Sequence, residues 1–257
     1  MSTPAVRVSS HWLDLREPAD ATARSVELAE HAARQLPATG DLVIHDLGGG
    51  SGAMGRWLAP RLRGPQHWVV HDHDPDLLEL AVAAPPAAAT VEARLSDITR
   101  FPPGALADAS LVTASALLDM LTADELAGML RACAGLPTLI AMTVTGGVAL
   151  SPADPLDAPL VAAFNTHQRR EGRLGPDAVE AAADQLSGEV IVRPTPWRLD
   201  ARFAVMTEWL GGWIRAALQQ DPALAAEAGD YRERRLAQAA AGELTATVDH
   251  ADLLVLP

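Results

Sequence analysis

The sequence predicts an α/β domain, a mostly parallel sheet with helices on both faces. Three observations predict it. Short apolar runs of buried-strand length alternate with helical patterns along the first 145 residues. A glycine-rich turn, Gly48-Gly49-Gly50-Ser51-Gly52, joins the first of these runs to a helix. Acidic residues stand at or just past the ends of successive runs, at Asp46, Asp72 and Asp97. The chain has 257 residues and is 49% hydrophobic, enough to bury one large core.

Taken in order, a helical pattern runs from Ala21 to Leu36, with Asp20 as its expected N-cap, and Pro37-Ala38-Thr39-Gly40 stops it. The first strand is Leu42–Leu47. After the glycines, Met54, Trp57, Leu58 and Leu62 mark a helix. Trp68–His71 forms a second strand that leads into Asp72. A helix then starts at Pro75, with Asp74 as its cap. Further strands are expected at Thr90–Leu95, Ala109–Ser115 and Thr138–Val144, with a helix over about Ala123–Ala134. Past Thr145-Gly146-Gly147 the pattern changes. Two helical stretches fall within 151–187, a strand at Glu189–Val192, helix over 201–241 broken at Asp221-Pro222, and a last strand at Leu244–Leu256. The expected organisation is an N-terminal helical cap (1–40), a sheet core (41–150), and helical lid elements with C-terminal strands (151–257).

The net charge is −13, and every basic residue is arginine. The charge opposes binding to nucleic acid and anionic membranes. The lack of lysine excludes Schiff-base and P-loop chemistry. No apolar run reaches the roughly 20 residues of a membrane span, and Met-Ser-Thr-Pro-Ala has no leader pattern. A cytoplasmic protein is the expectation. The single cysteine, Cys133, reads as a buried helix residue, and no Cys/His spacing suits a metal.

The glycine turn carries the chemistry. Glycines between strand and helix adopt positive φ and let a ligand approach the backbone. Asp46, just before them, suits the cationic amino group of S-adenosylmethionine (SAM). Gly50-Ser51-Gly52-Ala53-Met54-Gly55 also satisfies the dinucleotide pattern G-x-G-x-x-G. However, Asp46 would repel a pyrophosphate, and that pattern starts two residues late. Asp72 can accept from both ribose hydroxyls, with Asp74 as its rival. Asp97 can accept from the adenine amino group while Ile98 packs on the ring; alternatively Asp97 is an exposed loop residue.

The order Asp46-Leu47-Gly48-x-Gly50-x-Gly52, Asp72-x-x-Pro75-x-x-Leu78, Ser96-Asp97-Ile98 resembles the class I SAM-dependent methyltransferases. The resemblance covers about residues 40–145. It implies a Rossmann-like seven-stranded sheet whose last strand is antiparallel. It also implies that Asp46, Gly48, Gly50 and Gly52 hold the methionine end, Asp72 the ribose and Asp97 the adenine. The long helical stretch before the last strand departs from the family pattern. A helix preceding the first strand often covers the cofactor in this family, so Arg24 or Arg16 is a candidate for the SAM carboxylate; the alternative is an ordinary salt bridge with Glu17 or Asp20.

The expected activity is methyl transfer to the O, N or C nucleophile of a small-molecule acceptor. The alternatives are a non-catalytic protein that binds SAM or S-adenosylhomocysteine, and an NAD(P)-dependent oxidoreductase. Asp119 and His167 are candidate catalytic groups, and Arg169 and Arg170 candidate contacts to an anionic acceptor. Each of these four also fits a solvated helix face. His71 and His73 read as structural or exposed, and Trp197 as core.

Overall fold

The computed structural model describes residues 8–102 and 104–257; the Met-Ser-Thr-Pro-Ala start lies outside the described residues. Two helices come first, α1 (Ser10–Ala23) and α2 (Val26–Gln35). Asp20 is not the cap that the sequence suggests. α1 starts eleven residues earlier, where the Ser9 hydroxyl accepts from Trp12 N, and Asp20 lies in its last turn. The helices part at Arg24, which is extended, and Ser25 caps α2 through Leu28 N. The Asp20 pattern misled because Pro18, usually a helix stop, sits inside α1.

The alternating core follows: β1 (Leu42–Leu47), α3 (Ala53–Leu58), β2 (Gln66–Asp72), α4 (Pro75–Ala83), β3 (Ala89–Leu95), β4 (Leu111–Ser115), α5 (Ala123–Ala132) and β5 (Thr138–Ser151). Asp74 caps α4 through Asp76 N, with Pro75 at the first helical position, as its sequence predicts. A capping box between Thr122 and Glu125 starts α5. Cys133 is buried at the end of α5, and that burial pushes its thiol up to about 12. The remaining elements are α6 (Asp157–Gln168), α7 (Ala178–Ala183), β6 (Glu189–Pro194), β7 (Trp197–Leu199), α8 (Val205–Gln220), α9 (Ala225–Ala240) and β8 (Thr245–Leu256).

Among the described residues the sheet has eight strands, not seven, in the order β3-β2-β1-β4-β5-β8-β6, with β7 paired to β8. The pairs among β1–β5 are parallel, and β8 runs antiparallel to β5, β6 and β7. The extra strand exists because β8 is 12 residues long. β6 covers only Ala251–Leu256, so Ala246–Val248 is left to pair with β7. β5 corrects a second expectation. It does not turn at Thr145-Gly146-Gly147 but bulges there and continues to Ser151, with its pairing to β8 shifted between Val144 and Val148. Gly146 has φ +89°, and a side chain on Gly147 would collide with the Asp249 carboxylate.

Leu28, Ile44, Trp68 and Leu139 share one core with Leu160 of α6 and with Trp209, Trp213 and Ile214 of α8. The helical additions are therefore continuous with the sheet's own core. Among the described residues no helix is long and apolar enough to cross a membrane.

Candidate functional site

The glycine turn lies at the carboxyl end of β1. Gly48, Gly50 and Gly52 have φ of +62°, +53° and +85°, values that L side chains rarely adopt. Gly49 matters for another reason, which the G-x-G-x-G pattern hides. A Cβ on it would lie 2.5 Å from Asp46 Oδ2 and 2.8 Å from Val70 Cγ1. The turn therefore lies directly on the Asp46 side chain.

Asp46 is fully buried beneath that turn. Its Oδ1 accepts from Thr113 Oγ1 at 2.7 Å, and its Oδ2 has no partner. Burial pushes the carboxyl up to about 7, despite the Thr113 bond and the field of Arg24. A group whose folded value is raised contributes stability below its unfolded value, and that stability is lost as pH rises through about 7. Asp46→Asn removes this loss. Denaturation of the two proteins from pH 4 to 8 should show the variant gaining on the parent up to about pH 7. A difference that stays flat with pH would place an ionised Asp46 in the fold.

Asp72, at the end of β2, is also buried. Its Oδ2 accepts from Gly50 N and its Oδ1 from Asp74 N, both at 2.9 Å, so it ties the glycine turn to the next strand. Each oxygen keeps acceptor capacity for a ligand hydroxyl. Asp97 stands after β3 with 54% of its side chain exposed. Its Oδ1 accepts from Thr99 N and Thr99 Oγ1, and Ile98 is buried beside it. Beneath this rim lies a buried relay. His45 and His71 stack with Nδ1 and Nε2 2.9 Å apart, and their outer nitrogens meet Asp108 and Ser96. Burial lowers both imidazoles, His71 to about 4. His73 is half-exposed, 3.4 Å from Asp72 Oδ1.

A cleft opens between the glycine turn and α1. It is lined by Gly48–Ser51 on one side, by Leu13, Arg16, Asp20 and Arg24 on the other, and by Ser115 and Ala116 at the end of β4. Ala116 has φ +53°, a strained geometry for a non-glycine residue at a cleft wall. Arg24 is 3% exposed. Its Nη2 donates to Ser115 Oγ at 3.0 Å and lies 3.9 Å from Asp20, whereas Nε and Nη1 are buried with no partner among the described residues. Desolvation lowers its guanidinium. Ser51 Oγ is likewise buried and unpartnered. Arg16 bonds Asp20 from Nη2, with Nε 3.0 Å from Oδ2, and Trp197 Nε1 also donates to Asp20.

Asp119 lies in a 3-10 turn just past β4 and is 7% exposed. Burial raises its carboxyl to about 6, against its own backbone amide and the fields of Arg16 and Arg173. None of the four acceptor candidates, Asp119, His167, Arg169 and Arg170, is among the residues that line the cleft. His167, on α6, meets Gln219 of α8 at 3.1 Å. Arg169 makes two bonds to Asp177, and Arg170 bonds Gln220 Oε1 and Gln219 O. Asp20, Ser51 and Gly49 are the site residues that the sequence reading missed. Asp20 looked like a cap, Ser51 is the variable position of the motif, and the role of Gly49 depends on a contact beneath the loop.

No protein-family model matches this chain, and no curated protein sequence matches it either. Solved structures do. One, provisionally described as a methyltransferase from an antibiotic biosynthesis pathway of Anabaena variabilis, superposes with a TM-score of 0.50 at 12% identity, covering 93% of this chain and 100% of that one. A cyclopropane synthase from Mycobacterium tuberculosis gives 0.48 at 14% identity, covering 96% and 94%. A phosphoethanolamine N-methyltransferase from Haemonchus contortus gives 0.46 at 17% identity, covering 99% of this chain and 61% of that one. Of these three only the first reaches 0.50, and the likeness rests on it. By its sheet order, its glycine turn and that likeness, the chain has the fold of the class I SAM-dependent methyltransferases.

Proposed function

We propose that this protein is a methyltransferase that binds SAM along the carboxyl ends of its parallel strands and methylates a small-molecule acceptor. One observation carries the reading. Arg24 faces the glycine turn from a buried position with two unspent donors. A buried guanidinium in that state calls for an anion, and a carboxylate matches its fork. SAM carries one at its methionine end. Asp72 then accepts from the ribose hydroxyls, and Asp97 and Ile98 flank the adenine, in line with ligand binding beyond strand ends in open α/β sheets.

Bound SAM supplies an electrophilic methyl group on its sulfonium. The chain's part is to exclude water and to hold the acceptor in line. Asp119 is the general base of this reading: it stands just past β4, three positions beyond the cleft-lining Ala116, and burial raises its carboxyl to about 6. Its carboxylate takes a proton from an acceptor hydroxyl or amine. His167, Arg169 and Arg170 are spent on α8 and Asp177, so the reading gives them an anchoring part. The net charge favours a small acceptor over nucleic acid.

Calorimetry with SAM, S-adenosylhomocysteine and NAD(H), followed by an acceptor screen, tests the reading. Binding of NAD(H) in place of SAM would make the chain an oxidoreductase. SAM binding without turnover on any acceptor would leave a binding protein. With an acceptor in hand, kcat should rise with pH through about 6 as Asp119 loses its proton. Asp119→Asn should lower kcat by about 100-fold or more and leave SAM affinity unchanged. Parent-like turnover in that variant removes Asp119 from the reaction.

A further inference from the structure

Resting on the SAM reading above, we infer that α1 recognises both charges of the cofactor's amino-acid end: Arg24 takes the carboxylate, Asp20 takes the ammonium, and Asp46 is a strut that never meets the ligand.

The geometry separates the two carboxylates. Asp20 lines the cleft beside Gly48–Ser51, and Asp46 does not. The Gly49 backbone lies between Asp46 Oδ2 and the cleft so closely that even a methyl group would not fit there. An ammonium in the cleft cannot reach Asp46 without moving that backbone. Asp20 is already held in place, by Arg16 from one side and by the Trp197 indole from the other. It retains acceptor capacity, because a carboxylate has about four lone-pair sites.

The charges point the same way. Arg24 is buried and Arg16 partly so, and with Asp20 between them this wall of the cleft carries two positive charges and one negative. A lone anion would neutralise that excess but leave Asp20 shared between two arginines. An α-amino acid brings its carboxylate to an unspent donor of Arg24 and to the unpartnered Ser51 hydroxyl, and its ammonium to Asp20. The open groups of Arg24 and Ser51 that line the cleft then gain a ligand to bond. Beneath the turn, Asp46 Oδ1 accepts from Thr113 and the Gly49 backbone lies against Oδ2, so its contacts are with the fold. The acidic residue before the glycines is thus a structural member of the turn, and recognition has moved to the C-terminal end of α1.

The test compares S-adenosylhomocysteine with its desamino analogue, which lacks only the α-amino group. Calorimetry is run on the full-length parent, Asp46→Asn and Asp20→Asn. The parent should prefer the amine-bearing ligand by about tenfold or more. Asp46→Asn should keep that preference within about twofold, and Asp20→Asn should lose it. If Asp20→Asn does not fold, Asp46→Asn decides alone: a kept preference supports the assignment, and a lost one overturns it. A parent that binds neither ligand defeats the SAM reading itself. A parent that binds both, with the preference carried by Asp46, defeats only this assignment.

Discussion

Arg24→Met should weaken binding of SAM and S-adenosylhomocysteine by roughly 30- to 1,000-fold, or about 2–4 kcal/mol. The variant loses two charge-assisted bonds to the ligand carboxylate and keeps most of the apolar stem against Trp57, over which the guanidinium lies. Stability of the ligand-free protein should move the other way. The parent holds a buried cation with two donors unspent, so replacing it with an apolar side chain of similar length should leave stability unchanged or raise it by about 1 kcal/mol. The opposed signs are the diagnostic, and they separate a binding residue from a structural one. Calorimetry and urea denaturation on the same preparations measure both. Parent-like affinity in a folded variant would mean that Arg24 is satisfied by something other than the ligand.

The second large effect is on the fold. Gly49→Ala should destabilise the protein by about 3 kcal/mol, lowering Tm by about 6–12 °C. The added methyl would meet Asp46 Oδ2 at 2.5 Å and Val70 Cγ1 at 2.8 Å, and neither can retreat, because both side chains are buried in neighbouring strands. Gly50→Ala provides the contrast. Its methyl would meet only Leu13 Cδ1 at 3.4 Å and Leu77 Cδ1 at 3.9 Å, so the positive φ is the main cost, about 1 kcal/mol. Thermal melts of the two variants compare them. Equal stability losses would show that the turn yields to relieve Gly49.

The parallel half of the sheet was legible because strands buried on both faces read as unbroken apolar runs. Ile44, Trp68, Val112 and Ile140 all lie in the core. The antiparallel half was less so. β7 has three residues, too few for any periodicity. The glycines at 146 and 147 carry the same signal whether a strand ends or bulges. At the site, the glycine turn and Asp72 were readable from local spacing. The importance of Arg24 was not readable in that way, because an arginine near Glu17 and Asp20 suggests an ordinary ion pair. What singles it out is that Ser115, 91 positions away, claims one of its nitrogens, Asp20 stays at 3.9 Å, and the other two nitrogens are buried with no partner among the described residues. Asp46 shows the converse. Its position in the motif suggests a ligand contact, but only the tertiary structure reveals that Gly49 covers it.

The short strand β7 has a consequence for how this protein can be re-engineered. Leu199 and Ala246 are registered partners across the β7–β8 pair, so the chain leaves the sheet and rejoins it at one point. Everything between, α8 and α9 included, is a cassette with adjacent ends. Cassettes of that kind can be exchanged between relatives or circularly permuted without altering the connections of the remaining strands. The constraint is on its inner face, where Trp209, Trp213 and Ile214 close the core, and any replacement must bring an apolar face of similar size. His167, Arg169 and Arg170 are coupled to this exchange: the first and third grip Gln219 and Gln220 of the cassette, whereas Arg169 holds Asp177 outside it. A graft that alters the C-terminal end of α8 would therefore remove the partners of His167 and Arg170 and leave the Arg169–Asp177 pair in place.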